Sequence, residues 1–266
     1  MNRIERLVAY AMFLMLVLWV PVSSFAQGPF VGTWRTDMDQ SKLSPKPYVF
    51  SVNGGIYDCS SCSPKIHVQA DGQDQPVTGQ PYDMVSAHEV DSKSIATTTK
   101  KNGKTVSEST RTVSDDGNTL TVKVTNHPEN SDQPVSGEVT YTRVGKPPAG
   151  ANGTSGSWRV NKVQESDNGL TTTYTSSGDD LSMSTPTGAS YTAKLDGKDY
   201  PVKGSYTYNS VSLKGVNAST IEETDKRDGK VVEAVKMTVA PDGKKMTVVA
   251  TNKLTGATST YVAEKQ

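Results

Sequence analysis

The second half of this chain repeats the first, which confines it to folds built from two copies of one unit. Asp71-Gly72-Gln73-Asp74-Gln75-Pro76-Val77-Thr78-Gly79 returns as Asp196-Gly197-Lys198-Asp199-Tyr200-Pro201-Val202-Lys203-Gly204. Gly32-Thr33-Trp34-Arg35 returns as Gly156-Ser157-Trp158-Arg159, and Thr112-Val113-Ser114-Asp115-Asp116-Gly117 as Thr238-Val239-Ala240-Pro241-Asp242-Gly243. The offset drifts only from 124 through 125 to 126, so the copies share order and spacing. This is a duplicated domain, not a short-period solenoid.

Each copy is punctuated at hairpin spacing by Asn-Gly or Asp-Gly: Asn53-Gly54, Asp71-Gly72, Asn102-Gly103 and Asp116-Gly117, then Asn168-Gly169, Asp196-Gly197, Asp228-Gly229 and Asp242-Gly243. These pairs tolerate the positive φ that two-residue hairpin turns demand. Between them run alternating segments such as Thr119-Leu120-Thr121-Val122-Lys123-Val124-Thr125, with Leu and Val toward a core and Thr and Lys toward water. The first copy predicts strands near residues 32–37, 48–52, 65–70, 83–90, 94–101, 104–114, 118–126 and 137–144. Consecutive hairpins of this kind suit an up-and-down antiparallel barrel, which removes exposed sheet edges.

The expected fold class is therefore all-β, two small antiparallel barrels in tandem. Residues 27–144 form the first, 145–155 a Gly/Pro-rich linker, and 156–266 the second. The second copy has a shorter last hairpin: Asn126 to Tyr141 is 15 steps, Asn252 to Tyr261 only 9.

Residues 1–26 have the anatomy of an export signal. Arg3 and Arg6 precede an apolar stretch from Leu7 to Val20, then Pro21 and Ser24-Phe25-Ala26 with small residues at −3 and −1. The apolar run is shorter than the roughly 20 residues a membrane span needs. The expected address is periplasmic or extracellular, with no membrane insertion after signal removal. Taking Arg3, Arg6 and Glu5 from 28 basic and 28 acidic residues leaves 26 and 27, a net charge of −1. That balance argues against a nucleic-acid partner, which needs a basic face. The mature chain is poor enough in large apolar residues to permit disorder on composition alone. Alternating Thr, Val, Ser and Tyr argue instead for sheet.

Gly-x-Trp at the start of the first strand, one small antiparallel barrel and an Arg in the last strand together resemble the lipocalin (calycin) pattern. The resemblance implies a Trp closing one barrel end with the Arg packed over it. Gly32, Trp34 and Arg143 are the matching residues of the first copy. Gly156 and Trp158 match in the second, whose last strand, Thr260 to Lys265, has no Arg. With its paired Asp-Gly-x-Asp-x-Pro-Val-x-Gly segments and single Cys-x-x-Cys, the whole chain resembles exported tandem lipocalin-like bacterial proteins.

Cys59 and Cys62 are the only cysteines. In an exported chain they are expected as a local disulfide clip. The alternative, a redox dithiol, wants a thiolate beside a cation or helix N-terminus, and Asp58 disfavours it. Two thiols are too few for a closed metal site, and no metal or cofactor is expected. His67, His88 and His127 are dispersed through the first copy, and no Gly-x-Ser-x-Gly or His-Glu-x-x-His occurs. Asp71, Asp74, Asp196 and Asp199 read as turn residues beside Pro76 and Pro201.

No catalytic constellation can be assembled, so the chain is read as a non-enzyme. The leading expectation is an exported binder of a small apolar or amphipathic ligand. The alternative is an envelope or extracellular interaction module with filled barrels and a protein or glycan partner. A connected interior cavity of ~300 Å³ or more separates the two. The second copy, with extra Met and Tyr, is the expected ligand holder, lined by Met183, Tyr191, Tyr206 and Tyr208. The plain alternative is that these side chains fill the core.

Overall fold

The computed structural model describes residues 28–266; the expected export signal lies outside the described residues. The first copy contributes β1 (Gly32–Lys42), β2 (Tyr48–Asn53), β3 (Ile56–Cys59), β4 (Ile66–Gln69), β5 (Gln75–Pro76), β6 (Met84–Asp91), β7 (Ser94–Lys101), β8 (Lys104–Val113), β9 (Thr119–Asn126) and β10 (Val135–Gly145). The second contributes β11 (Gly156–Glu165), one helical turn α1 (Asp167–Leu170), β12 (Thr171–Ser177), β13 (Asp180–Ser184), β14 (Ser190–Lys194), β15 (Asp196–Lys203), β16 (Ser210–Asn217), β17 (Thr220–Arg227), β18 (Lys230–Val239), β19 (Lys245–Asn252) and β20 (Thr258–Lys265). The chain is all-β, in two ten-stranded antiparallel barrel-like sheets.

Turn spacing predicts eight strands in the first copy, and the structure has ten. The additions are β3 and β5. β3 follows Gly54-Gly55, both at positive φ, which make the two-residue turn between Asn53 and Ile56. β5 is two residues ending at Pro76, too short to register as an alternation.

The sheets do not follow the expected domain boundaries of 27–144 and 156–266, because the first strands of the two copies are exchanged. β1 pairs with β12 on one side and β20 on the other, closing the second barrel. β11 lies between β10 and β2 in the first sheet. Residues 43–47, Leu-Ser-Pro-Lys-Pro, carry the chain across once. Pro45 and Pro47 push the residues before them toward extended backbone, so no tight hairpin returns β1 onto β2. The chain crosses back through α1, which absorbs Asn168-Gly169; that pair is therefore not a hairpin turn. Both first strands carry Gly-x-Trp, so each fits the other's slot, and exchanging like elements costs little.

Residues 145–155 are likewise no free tether. Asn152, Thr154 and Ser155 are buried at one end of the first barrel. Asn152 Nδ2 donates to Asp91 O (2.7 Å) and Glu89 Oε2 (3.0 Å), and Ser155 Oγ accepts from Val52 N (2.8 Å). The first sheet ends at β4 and β5, and a side chain spans the gap between them. The Gln75 amide accepts from Gln69 N (2.9 Å) and donates to Gln69 O (2.8 Å), copying a strand pair's main-chain bonds. An isolated bridge between Asp71 and His88 continues the closure.

Because β1 and β11 are exchanged, Arg143 covers Trp158 and not Trp34. Its guanidinium carbon lies 4.0 Å from the Trp158 ring centroid, and its nitrogens donate to Ser155 O (2.8 Å), Gly153 O (2.7 Å) and Gly117 O. Lys265 takes the same place over Trp34, at 5.2 Å. The second barrel thus has a closing cation without an Arg. Gly32 and Gly156 adopt φ of 132° and 133°, and a Cβ at either would collide with the Lys265 or Arg143 side chain. The glycine of Gly-x-Trp makes room for the cation.

Strand exchange is directly testable. Thr33 faces Thr173 across β1 and β12, with hydroxyls 3.0 Å apart, whereas unexchanged copies would place Thr33 opposite Val49. The double variant Thr33→Cys/Thr173→Cys is expected to form a disulfide under mild oxidation and Thr33→Cys/Val49→Cys not to, as read by mass spectrometry of cross-linked peptides. The opposite pattern would mean that each copy keeps its own first strand.

Candidate functional site

Matching registers make the two barrel interiors comparable position by position. Val113 faces Leu120 as Val239 faces Met246, and Ser94 faces Thr112 as Thr220 faces Thr238. Inward positions two residues apart then correspond: Arg111 with Met237, Ser107 with Glu233, Thr97 with Glu223, Thr99 with Asp225. The copies have the same scaffold and interiors of different charge.

In the first barrel, Val113 and Leu120 pack at the Trp158 end, and Arg111 lies in the next layer opposite Val122. Beyond it a cleft of about 640 Å³ opens toward the second barrel. Its walls include Val106, Val122, Val124, Val139 and Tyr141, and its polar floor Arg111, Thr97 and Thr99. Arg111 donates to Thr97 Oγ1 (3.0 Å) and, weakly, to Tyr48 Oη (3.4 Å), and its guanidinium carbon lies 5.4 Å from the Phe50 ring centroid. Arg111 Nε and Thr99 Oγ1 are buried without partners. Burial holds the Tyr57, Tyr82 and Tyr141 hydroxyls above the ordinary phenol value, Tyr82 at about 12, so these neighbours supply no negative charge at neutral pH. The one carboxyl lining the cleft, Glu165, lies by register level with Ser109 and Val124, one layer out from Arg111, and is raised by burial.

The second barrel is largely filled. Met183 and Tyr191 are buried in its core with Tyr174, Met237 and Met246. The cavity left among them is about 230 Å³. Register places Tyr191 where the first barrel has Ile66 and Met183 where it has Cys59, while Leu181 and Ala193 stand where it has Tyr57 and Val68, so bulk is redistributed between layers. Tyr191 Oη donates to Glu223 Oε2 (2.6 Å), and Tyr174 Oη to Met237 Sδ (3.3 Å). Burial raises Glu223 from its ordinary value; Asp225 is raised by burial and by Glu223 beside it, and its Oδ1 has no partner.

The four expected lining residues therefore separate. Met183 and Tyr208 border the small second cavity, and Tyr191 belongs to the core behind it. Tyr206 lines the cleft of the other barrel. Arg111, Thr97 and Thr99 were not singled out from sequence, although a signal existed: the inward phase set by Val113 puts Arg111 on the core side, and the repeat offset puts Met237 opposite it in the alignment.

Cys59 and Cys62 form a disulfide, with Cys59 fully buried against the first core. His67 pairs with Asp58 (3.1 Å) and His127 with Glu108 (3.2 Å) on exposed surface. Asp74 pairs with Lys100, and Asp199 with Lys226 (2.6 Å), tying the repeated segment to the neighbouring hairpin in both copies. Among the described residues no group of three or more His, Cys, Asp or Glu is placed to hold a metal ion. Among them, too, no helix is long and apolar enough to cross a membrane. A groove of about 690 Å³ runs outside the first barrel, lined by Lys46, Tyr48, Cys62, Lys65 and Leu254. Comparison of the chain with protein-family models, with curated proteins and with solved structures found no match.

The acidic interior of the second barrel implies a pH dependence. Asp225 holds its proton in the folded state above its ordinary value of 3.8, so the native state binds more protons than the unfolded chain at higher pH. This contribution to stability is complete below the ordinary carboxyl range and is lost as pH rises through neutrality. Urea unfolding is expected to show stability falling from about pH 4 upward. Asp225→Asn is expected to flatten that fall and to be more stable than wild type at pH 8. An unchanged slope in the variant would mean Asp225 is ionised in the native state.

Proposed function

We propose that this protein is an exported, non-enzymatic binder of a small amphipathic or apolar molecule, with the first barrel as its ligand holder. The observation that carries this reading is the 640 Å³ cleft, which exceeds the ~300 Å³ a small ligand needs and combines apolar walls with a few convergent polar groups. The lipocalin-like pattern of Gly-x-Trp under a closing cation supports it by analogy of fold alone. Unequal binding by the two barrels is expected, because the cavity of the second is only about 230 Å³. The export signal and the Cys59–Cys62 disulfide favour a periplasmic or extracellular setting.

The test uses the full mature chain and the neutral probe N-phenyl-1-naphthylamine. Saturable fluorescence enhancement is expected in wild type. Val124→Trp, which places an indole in the first cleft, is expected to weaken binding by at least about tenfold. Val248→Trp, at the wall of the second cavity, is expected to leave it within about twofold. Absence of saturable binding would remove the ligand-carrier reading and favour an interaction module with filled barrels.

A further inference from the structure

We infer that the ligand of the first barrel is an amphiphile with a single carboxylate, seated on Arg111 with its apolar tail toward the mouth. This rests on the reading of the first barrel as a ligand holder and adds the chemistry of the head group.

The argument begins with the charge. A guanidinium stays protonated in any protein environment, so Arg111 cannot discharge itself as a buried carboxyl can. Buried charges are ordinarily paired, and an unpaired one is costly. Among the described residues Arg111 has no ion pair: its partners are a threonine hydroxyl, a distant phenol and an aromatic ring. Its Nε donor and the Thr99 hydroxyl are both unpartnered, both buried, and both belong to residues lining the cleft. A planar oxyanion accepts from adjacent guanidinium nitrogens and from a hydroxyl at once, which would satisfy them together.

The count of charges selects the head group. One guanidinium and neutral hydroxyls neutralise one negative charge, which a carboxylate carries; a phosphate monoester would bring close to two. The walls select the tail. From the Arg111 layer to the Ser107 layer at the mouth is four residues along β8, ~13 Å at strand rise, past Val122, Val124 and Val139. The second copy carries Met237 at this position and so offers no such partner.

Calorimetric titration of the full mature chain, stripped of lipid by organic extraction and refolding, compares dodecanoate, dodecanol, dodecylamine and dodecyl phosphate. Dodecanoate is expected to bind about 10- to 100-fold more tightly than dodecanol or dodecylamine, as charged hydrogen bonds allow. Arg111→Met, which installs the second copy's residue, is expected to lose that preference, dodecanoate falling to the level of dodecanol. Arg111→Lys is expected to recover part of it, keeping charge without the fork. Equal binding of all four head groups would overturn the carboxylate assignment and leave the binder reading standing. Tighter binding of dodecyl phosphate than of dodecanoate would overturn it in favour of a dianion. No binding of any probe would overturn both. Should Arg111→Met fail to fold, the head-group ranking of the wild type alone decides.

Discussion

A last-strand cation stacked on the tryptophan of the other copy holds each barrel end shut, and strand exchange turns that contact into the link between the two. Trp158 arrives on β11 and Arg143 on β10; Trp34 arrives on β1 and Lys265 on β20. Each indole nitrogen donates to a carbonyl four residues earlier, Trp34 to Phe30 O (2.7 Å) and Trp158 to Thr154 O (2.9 Å). Truncating a buried Trp to Ala costs about 3–5 kcal/mol. Here it would also loosen a strand that is the seam of one barrel and the tether of the other. The two ends are not equal: Arg143 satisfies three carbonyls besides covering its ring, whereas the ammonium of Lys265 sits farther away as a point charge.

With the scaffold fixed in this way, a few inward positions decide what each interior can do. Asp225, pushed up to about 9, meets the low dielectric by keeping its proton, and burial raises Glu223 beside it. Arg111 has no such route, and its surroundings leave donor capacity unused. The spaces differ too, about 640 Å³ in the first cleft against 230 Å³ in the second cavity, and Met237 stands in the second core where the first barrel has the charged Arg111. The copies differ in side chains at matched registers and at one seam of the ladder, where β14 pairs with β15 but β4 and β5 are joined only through Gln75.

That distinction also separates what was legible in the sequence from what was not. Period-two alternation and Asn-Gly or Asp-Gly turns are local signals, and they lead to the strand class, the antiparallel order and the barrel-like closure. Exchange of β1 with β11 is a choice between two nearly equivalent slots, since Trp34 and Trp158 suit either one, and a repeat alignment is silent on it. Pro45 and Pro47 were the available hint. The extra Met and Tyr of the second copy suit an adaptable lining by composition, but Met183 and Tyr191 are buried in its core beside a cavity of only about 230 Å³. Arg111 is hard to see in the sequence, because its neighbours Ser109 and Thr110 make the run look solvent-facing. Only the phase set by Val113 reveals which side it takes.

The repeated Asp-Gly-x-Asp-x-Pro-Val-x-Gly segment has a meaning that neither copy displays alone. In each barrel it leads into a loop directed at the other. After Gly204, residues Ser205, Tyr206 and Thr207 line the cleft of the first barrel; after Gly79, Gln80 and Pro81 border a space shared with Tyr208 and Glu233 of the second. Arg227 Nη2 donates to Gly79 O (2.8 Å) across this contact. The ion pairs Asp74–Lys100 and Asp199–Lys226 brace the base of each loop against the adjoining hairpin. Apposed mouths follow from exchange: two short crossovers hold the barrels together, so the rim of each cavity is built in part by the other copy. A molecule entering the first cleft therefore meets Tyr206 before it meets Arg111, and the side chain expected to serve its own barrel serves as the rim of its neighbour.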